Sequence, residues 1–225
     1  MGILFRITAF SALLAAAVTA APVDEDKPHG RVCVSVVEPG TPEREQQLRP
    51  DAAPGAGKKV NVYVDASGKC SALVVAMRKD GKLAYGWRPQ FIEVTEEFDE
   101  VQLPKKPAVW EWKEAGEPFE IYALFLAPGA PDAAELKKLV AAMQNPSLDE
   151  RLLGMQTNKL HEILGRITSD PARNQVAASD PEVGGVFRGA AFPWRQFAQA
   201  VNFDSGKPGV VVIPGPAGPA PKGGS

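Results

Sequence analysis

The sequence predicts an α+β protein, an antiparallel β-sandwich-like domain covered by a helical pair and closed by a mixed C-terminal segment. Short runs of alternating apolar residues recur through the first half of the chain, a pattern typical of strands with one buried face. Two amphipathic helical stretches follow, and a last apolar run returns to strand composition. We expect a single domain over residues 31–213, β-rich over 31–127, helical over 132–167 and mixed over 171–213.

The N-terminus has the features of a secretory signal peptide, residues 1–20. One cation, Arg6, precedes an apolar run that ends in the sequence VTA at residues 18–20, a small-residue cleavage site. The apolar run is shorter than the about 20 residues that a helix needs to cross a bilayer, which argues against the alternative of a retained anchor. We expect cleavage after Ala20, a periplasmic or secreted protein, and a mobile leader over residues 21–30.

The charge balance limits the classes of partner. The 225 residues include 25 Lys and Arg against 27 Asp and Glu, a formal net charge of −2 that becomes −3 when Arg6 leaves with the signal peptide. Such a chain lacks the basic footprint that binds phosphate backbones, so the sequence argues against nucleic acid as a partner. No later stretch is apolar enough to span a membrane, and no motif indicates a cofactor.

The two cysteines, Cys33 and Cys70, are predicted to form one disulfide. An isolated pair in an oxidising compartment is most simply a structural bridge, and the chain-entropy model gives a loop of this length roughly 3 to 4 kcal/mol of stabilisation. The alternative is two free buried thiols. The spacing is not Cys-x-x-Cys, which argues against a redox motif.

Strand signals begin at residue 31. Residues 31–37 alternate valine with cysteine or serine, and residues 59–65 alternate valine with polar residues, so each stretch predicts a strand. Residues 38–58 carry several prolines, glycines and charges and are predicted to be a long surface loop.

A β-meander is predicted next. It consists of residues 59–65, the apolar run 70–77 and a returning strand over 82–85. Asp80-Gly81 is a preferred pair for a two-residue hairpin loop, because both central residues of that turn have positive φ.

Three further strands are predicted over residues 91–95, 109–113 and 117–127. The last stretch, with the sequence FEIYALFLA over residues 119–127, has apolar residues on both faces. Both faces of such a strand are covered, so we expect a central strand with the helices packed on one side.

Two helices carry start signals. Asp132 is predicted to cap residues 133–144, and Ser147 opens a capping box with Glu150 for a second helix to about Ile167. Each helix carries an apolar stripe that would face the sheet.

The C-terminal part is mixed. In the sequence GGVFRGAAF the pattern is extended, PWRQFAQAV is typical of a short helix with proline in its first turn, and GVVVIP is a last strand. Residues 214–225 form a Pro/Gly tail without large apolar side chains, and we expect disorder there.

The sequence HEILGRI, residues 161–167, begins like the His-Glu-x-x-His helix of zinc proteases but has Gly165 at the second ligand position. The chain has one other histidine, His29, in the expected leader, while catalytic zinc takes three protein ligands. The helical apolar arc leaves His161 on the opposite side. We interpret HEILGRI as a solvated helix face at the end of a helix, and we predict no metal site.

Nucleotide and nucleophile motifs are weak or absent. The sequence GAGKK, residues 55–59, has Lys59 where a phosphate loop needs Ser or Thr, so we interpret it as a plain loop. There is no Gly-x-Ser-x-Gly elbow, and two histidines leave little material for a serine or cysteine nucleophile mechanism. The sequence therefore predicts no catalytic residues.

A carbohydrate site is the alternative that the acidic and aromatic residues leave open. Five carboxylates crowd residues 93–100, and a glycoside hydrolase needs two at the right separation. Trp110 and Trp112 share one face of the strand pattern and would form a sugar-stacking platform. The competing interpretation is a solvated acidic edge beside tryptophans that fill the core.

The most site-like loop is YGWRPQF, residues 85–91. An aromatic residue, an arginine and a proline between two strands can hold a carboxylate or a peptide, so Trp87 and Arg88 are the candidate binding residues. The competing interpretation is a packed turn with Arg88 stacked on Trp87.

The order KDGKLAYGWRPQF, VQLP and EPFEIYALFLA, within residues 60–127, distantly resembles a bacterial β-rich domain of unknown function. That domain is often appended to caspase-like peptidases or protein kinases. In the family, an Asp-Gly hairpin precedes an aromatic-Pro step, a Leu-Pro and a strand reading Gly-x-x-x-Ile-x-Ala-Leu. This chain has Gln90 where the family commonly places asparagine. The resemblance implies a sandwich-like accessory module and supplies no catalytic residues.

These patterns together favour an exported, non-catalytic interaction or accessory module of the bacterial cell envelope, with a protein partner in that envelope. The alternative is a carbohydrate-binding or carbohydrate-hydrolysing protein that uses tryptophans and acidic residues. Exposure of Trp110 and Trp112 decides between them, because a stacking platform requires solvent-exposed indoles.

Overall fold

The computed structural model of the chain describes residues 23–38, 40, 44–49, 54, 56–97, 99–113, 118–169, 186–188 and 192–215. The predicted signal peptide lies outside these residues, as do residues 216–225 of the predicted tail and most of 170–191. In the described part, two antiparallel β-sheets and two helices form an α+β sandwich-like fold, so the predicted fold class is confirmed.

Eleven strands, two α-helices and two short 3₁₀ helices are present in the described part of the chain. The strands are β1 (His29–Glu38), β2 (Arg44–Gln47), β3 (Lys59–Ala66), β4 (Cys70–Arg78), β5 (Gln90–Val94), β6 (Val101–Leu103), β7 (Trp110–Glu111), β8 (Phe119–Leu126), β9 (Val186–Arg188), β10 (Gln199–Asn202) and β11 (Gly209–Pro214). The α-helices are α1 (Ala133–Met143) and α2 (Glu150–Thr168), and the 3₁₀ helices are Ala84–Gly86 and Trp194–Phe197.

The first sheet is built around β1, which pairs with the full length of β3, from Gly30↔Ala66 to Val37↔Lys59. The other edge of β1 is shared, because β10 pairs with its first half and β2 with its second half. The far edge of β3 is shared in the same way by β6 and β7. β9 pairs with β2.

The second sheet has four strands in the order β11-β8-β4-β5. β8 is central and covered on both sides, as the sequence predicts: Ile121 and Phe125 face the other sheet, while Leu124 and Leu126 face the helices. The helices α1 and α2 therefore pack on the outer side of this sheet. Within the described part of the chain, neither helix is long and apolar enough to cross a membrane.

Three hydrophobic clusters follow from the alternation of side chains along the strands. The largest lies between the sheets and a second lies between the second sheet and the helices. A third lies on the outer face of the first sheet, where Cys33 and Tyr63 contact residues 192–198, called here the aromatic strap. The strap contributes Phe192, Trp194 and Phe197 to this cluster.

The structure corrects the predicted strand order. Residues 59–65 and 70–77 do not form a meander, because β3 belongs to the first sheet and β4 to the second. Residues 82–85 are not a returning strand but contain a single bridge, Met77↔Leu83, followed by a 3₁₀ turn. The turn places Tyr85 at a φ of 51°.

The boundaries of the predicted loop, leader and tail also change. β2 lies inside the predicted loop 38–58 and β6 was not predicted. His29 and Gly30 belong to β1 rather than to a mobile leader, and His29 is buried. Pro214, the first residue of the predicted disordered tail, ends β11.

The helix starts differ from the predicted caps. Asp149, not Ser147, caps α2, since its carboxylate accepts the backbone N–H of Leu152 at 2.8 Å. Asp132 precedes α1 without a side-chain capping bond and instead accepts from Arg166 of α2 at 2.8 Å. This ion pair joins the start of one helix to the end of the other.

Candidate functional site

Trp87, a predicted binding residue, is a core residue. It is 4% exposed, and its indole stacks on Trp110 with ring centroids 5.3 Å apart. Its Nε1–H donates to the carbonyl of Glu111 at 3.1 Å. A side chain enclosed and hydrogen-bonded in this way holds the end of the sandwich together and leaves no face for a ligand.

Arg88, the other predicted binding residue, links a loop to a helix. Its Nη1 donates to the carbonyl of Met143 at the end of α1, at 2.8 Å, and Gln144 donates from Nε2 to the carbonyl of Pro89. A cation at a helix C-terminus is favourable because the last carbonyls carry partial negative charge. The structure thus shows Arg88 joined to α1, and a binding role of Trp87 and Arg88 stays a prediction.

The tryptophan platform is also absent from the surface. Trp110 and Trp112 are 2% and 4% exposed and pack in a cluster with Tyr85, Trp87 and Phe119. The core interpretation of these indoles is therefore confirmed. The stacking surface that the carbohydrate alternative requires is not available.

The acidic residues of 93–100 are divided between the two sheets. Glu93 of β5 accepts hydrogen bonds from Ser71 at 2.7 Å and Lys137 at 2.9 Å. Burial opposes ionisation, but these two donors prevail and lower its pKa. Glu100, beside β6, accepts from Trp194 Nε1 at 2.7 Å. Glu93 and Glu100 therefore each accept hydrogen bonds from side chains of the fold, and they lie on different sheets.

The predicted disulfide is not formed, since Cys33 and Cys70 are both free and buried. Cys33 lies on the outer face of the first sheet and Cys70 in the cluster between the sheets. Burial, with a smaller contribution from a nearby carboxylate, raises the pKa of each thiol to about 12. Neither sulfur is a nucleophile at neutral pH, because the thiolate is the reactive form.

Ser67 lies beside His29 at the start of β1. Its Oγ is 3.1 Å from His29 Nδ1, and the same nitrogen lies 3.1 Å from the carbonyl of Lys27. The other ring nitrogen, Nε2, lies 3.0 Å from Nη2 of Arg31. The backbone N–H of His29 donates to the Ser67 hydroxyl at 2.9 Å. These contacts hold the start of β1.

His161 lies on the exposed face of α2, as the solvated-face interpretation predicts. Its ring packs near Gly81, whose added Cβ would lie 3.1 Å from it. In the GAGKK sequence, Lys58 forms an ion pair with Glu38. Among the described residues, no group of three or more potential metal ligands converges.

The candidate functional site is a cleft on the outer face of the first sheet, called here the lysine cleft. It has a volume of about 520 Å³, within the range of small-ligand sites. β1 and β3 supply its floor, β6 and β7 flank it, and the segment between those two strands forms its wall. The residues that line it are Val37, Lys59, Val60, Asn61, Gln102, Pro104, Lys105, Lys106, Ala108, Val109 and Trp110.

The chemistry of the lysine cleft is basic and partly apolar. Lys59, Lys105 and Lys106 line it together with two side-chain amides and several apolar groups. Val109 is 60% exposed, an unusual exposure for valine in this protein. The described lining contains no carboxylate and no arginine. This combination suits an anionic ligand that also carries apolar groups.

A hydrogen-bond network behind the cleft fixes its floor. Glu45 of β2 accepts at Oε1 from Ser35, from Asn61 Nδ2 at 3.2 Å and from the hydroxyl of Tyr63 at 2.8 Å. Burial and this carboxylate together raise the pKa of Tyr63. The network spans β1, β2 and β3, so it holds the Asn61 amide in place at the bottom of the cleft.

A second concavity lies between α1 and α2 and is a weaker candidate. It has a similar volume, about 550 Å³, but its charges are satisfied locally, since Lys159 pairs with Glu135 at 2.8 Å. The pKa of Glu135 is lowered by the hydrogen bond from Lys159. A groove whose charges are paired with each other offers little to an ionic ligand.

The cleft lysines were not among the predicted site residues, although two of them carry a signal in the sequence. Lys105 and Lys106 stand between two prolines in the sequence LPKKPAVW, residues 103–110, which is a loop signal with concentrated charge. Lys59 lies far away in sequence and is brought to them because β7 pairs with β3 at Lys59↔Glu111. From the sequence, only Lys105 and Lys106 could be recognised as neighbours.

The fold and this cleft define an α+β sandwich-like protein with a basic surface cleft. Comparison of the chain with protein-family models, with curated proteins and with solved structures finds no match.

Proposed function

We propose that the protein is a non-catalytic binding module of the bacterial cell envelope, and that the lysine cleft is its binding site. The observation that carries this proposal is the contrast between the cleft and the reactive groups. The cleft is open and lined by polar side chains, whereas both thiols are buried and the Ser67 hydroxyl accepts a hydrogen bond from the backbone N–H of His29. Binding requires an open cleft with polar side chains. Catalysis by the thiols or by Ser67 would require these groups to be reactive.

Export is part of the proposal and rests on the N-terminal sequence. The cation, apolar run and small residues of residues 1–20 support a signal peptide. Two free cysteines are compatible with an oxidising compartment because Cys33 and Cys70 are enclosed in different clusters. The accessory role implied by the resemblance over residues 60–127 fits a module without catalytic groups.

Capture from envelope extract tests the proposal. The tagged chain is compared with an Ala108→Trp variant, which fills the cleft, and with Ala142→Trp, which places the same side chain in the groove between the helices. We expect a partner that is enriched by the wild type and by Ala142→Trp and is lost with Ala108→Trp. Equal capture by all three, or turnover of an envelope component, would contradict the proposed function.

A further inference from the structure

The lining of the lysine cleft is positively charged, whereas the whole chain has a net negative charge. The chain has more acidic than basic residues, 27 against 25, but the described lining of the cleft has three lysines and no carboxylate. Two carboxylates lie next to the lining: Glu111 is opposite Lys59 in the strand pairing, and Glu45 accepts from Asn61 and Tyr63. Lys105 and Lys106 are exposed on the wall. A local excess of positive charge attracts a ligand with several negative groups.

Apolar groups share the cleft with these cations. Val109 is largely exposed on the wall, and Pro104, Ala108 and Val37 extend the apolar surface to the floor. A ligand that covers the methyl groups of Val109 binds more favourably, because apolar surface is removed from water. A purely ionic ligand would leave this surface uncovered.

The two side-chain amides of the cleft match a peptide backbone. Gln102 is exposed on β6 opposite Tyr63, and Asn61 lies beside it on β3, held by Glu45. A carboxamide both donates and accepts, as a peptide group does, whereas a phosphate or carboxylate group accepts only. The lining also lacks arginine, the residue that binds phosphate through two parallel hydrogen bonds.

We propose that the lysine cleft binds a short segment of a partner protein in which acidic and apolar residues alternate. The inference rests on the proposed function and names the class of its partner. The carboxylates of the segment contact the exposed amines of Lys105 and Lys106, its apolar side chains cover Val109, and its backbone meets the Gln102 amide. Its contacts are salt-dependent, because amines exposed to solvent are screened by ions.

The test uses fluorescence anisotropy with a labelled peptide of alternating glutamate and leucine. The control peptide has glutamine in place of every glutamate. We expect the wild type to bind the acidic peptide, and a Lys105→Glu/Lys106→Glu variant to bind it on the order of tenfold or more weakly, since each exposed ion pair contributes modestly and reversal adds repulsion. Lys138→Glu in the groove between the helices is the matched variant that leaves binding unchanged.

Further binding measurements distinguish failure of the peptide inference from failure of the proposed function. Binding of inorganic phosphate or of phosphatidylglycerol vesicles at the cleft, without binding of the acidic peptide, would overturn the peptide inference while the cleft remained a binding site. Equal binding of the glutamate and glutamine peptides would overturn the role of the lysines. If no probe binds and Ala108→Trp also leaves capture from envelope extract unchanged, the proposed function fails as well.

Discussion

Arg195 of the aromatic strap and Asp65 of β3 form an ion pair in which Arg195 Nε donates to Asp65 Oδ2 at 2.9 Å. Asp65 is fully buried, and its Oδ1 has no hydrogen-bond partner. The Arg195 side chain is 48% exposed and lies over the ring of Trp194. The ion pair therefore joins the aromatic strap to the outer face of the first sheet. The hydrogen bond from Arg195 satisfies one oxygen of the buried Asp65 carboxylate.

We expect Arg195→Ala to lower the free energy of unfolding by about 1–3 kcal/mol, because a buried acceptor that loses its donor retains its desolvation penalty. Urea denaturation followed by circular dichroism measures the change. Lys159→Ala is the matched control, since the Lys159–Glu135 pair is half exposed on both sides and contributes at most about 1 kcal/mol. Equal stability of the two variants would show that Asp65 does not depend on the strap.

Gly30 is predicted to be essential for the approach of the two sheets. A Cβ at this position would lie 2.2 Å from the ring of Phe125, so Gly30→Ala forces the sheets or the ring to move and should lower stability by about 1–3 kcal/mol. Gly154→Ala on the exposed face of α2 meets nothing within 4 Å and should raise stability by up to about 1 kcal/mol. Thermal unfolding of both variants tests the pair, and a neutral Gly30→Ala would refute the close packing.

The thiols of Cys33 and Cys70 are predicted to be unreactive in the folded protein at neutral pH. Burial raises the pKa of each to about 12, so the thiolate that attacks iodoacetamide is scarce and enclosed. Mass spectrometry should find both alkylated only after unfolding in denaturant. Alkylation of the native protein, or a mass lowered by the hydrogens that a disulfide loses, would contradict the two free buried thiols.

Stability is predicted to fall at alkaline pH. The pKa of each cysteine rises from 9.0 to about 12 on folding, so the unfolded chain releases its thiol protons first. The stability linked to these groups is complete below about pH 9 and is lost as the pH rises toward 12. Tyr63 and Tyr122, whose pKa values are also raised by burial, act in the same direction.

Urea denaturation at a series of pH values measures this loss. A Cys33→Ala/Cys70→Ala variant should lose less stability between pH 9 and 12 than the wild type, whatever its stability at neutral pH, because its thiols no longer titrate. Parallel curves for the two proteins would show that the thiols are not the groups responsible.

The tryptophan cluster is predicted to be structural. Trp110→Ala should lower the free energy of unfolding by about 3–5 kcal/mol, as is typical of a large aromatic side chain removed from a core. Leu152→Ala, at a position 44% exposed, should change it by no more than about 0.5 kcal/mol. Soluble oligosaccharides should leave the tryptophan emission spectrum unchanged, and a shift upon their addition would revive the carbohydrate alternative.

Local patterns were sufficient for the elements with strong periodicity. The sequence predicts β8 with both of its apolar faces, and it predicts α1 and α2 almost to their ends. Burial on one or two faces requires apolar residues at a regular spacing, which can be recognised within one segment. β2, with the sequence REQQ, has no such spacing. It is a strand because the edge of β1 supplies its hydrogen bonds.

Cys33 and Cys70 are not joined in the structure, and the residue composition could not show this. Cys33 and Cys70 lie in different clusters, one on the outer face of the first sheet and one between the sheets. Which face a cysteine takes depends on strand register, and a shift of one residue reverses it. The same limit applies to Trp87 and Arg88, whose loop composition suits a binding site or a packed turn equally well.

The sequence by itself determined the fold class, the two helices and the buried strand β8, since each follows from the spacing of apolar residues along a single segment. Only the tertiary structure decided which strands share a sheet, that the indoles are enclosed and that Lys59 lies beside Lys105 and Lys106. These features arise from pairing between distant segments, and such pairing is selected by the packing of the whole sandwich rather than by neighbouring residues.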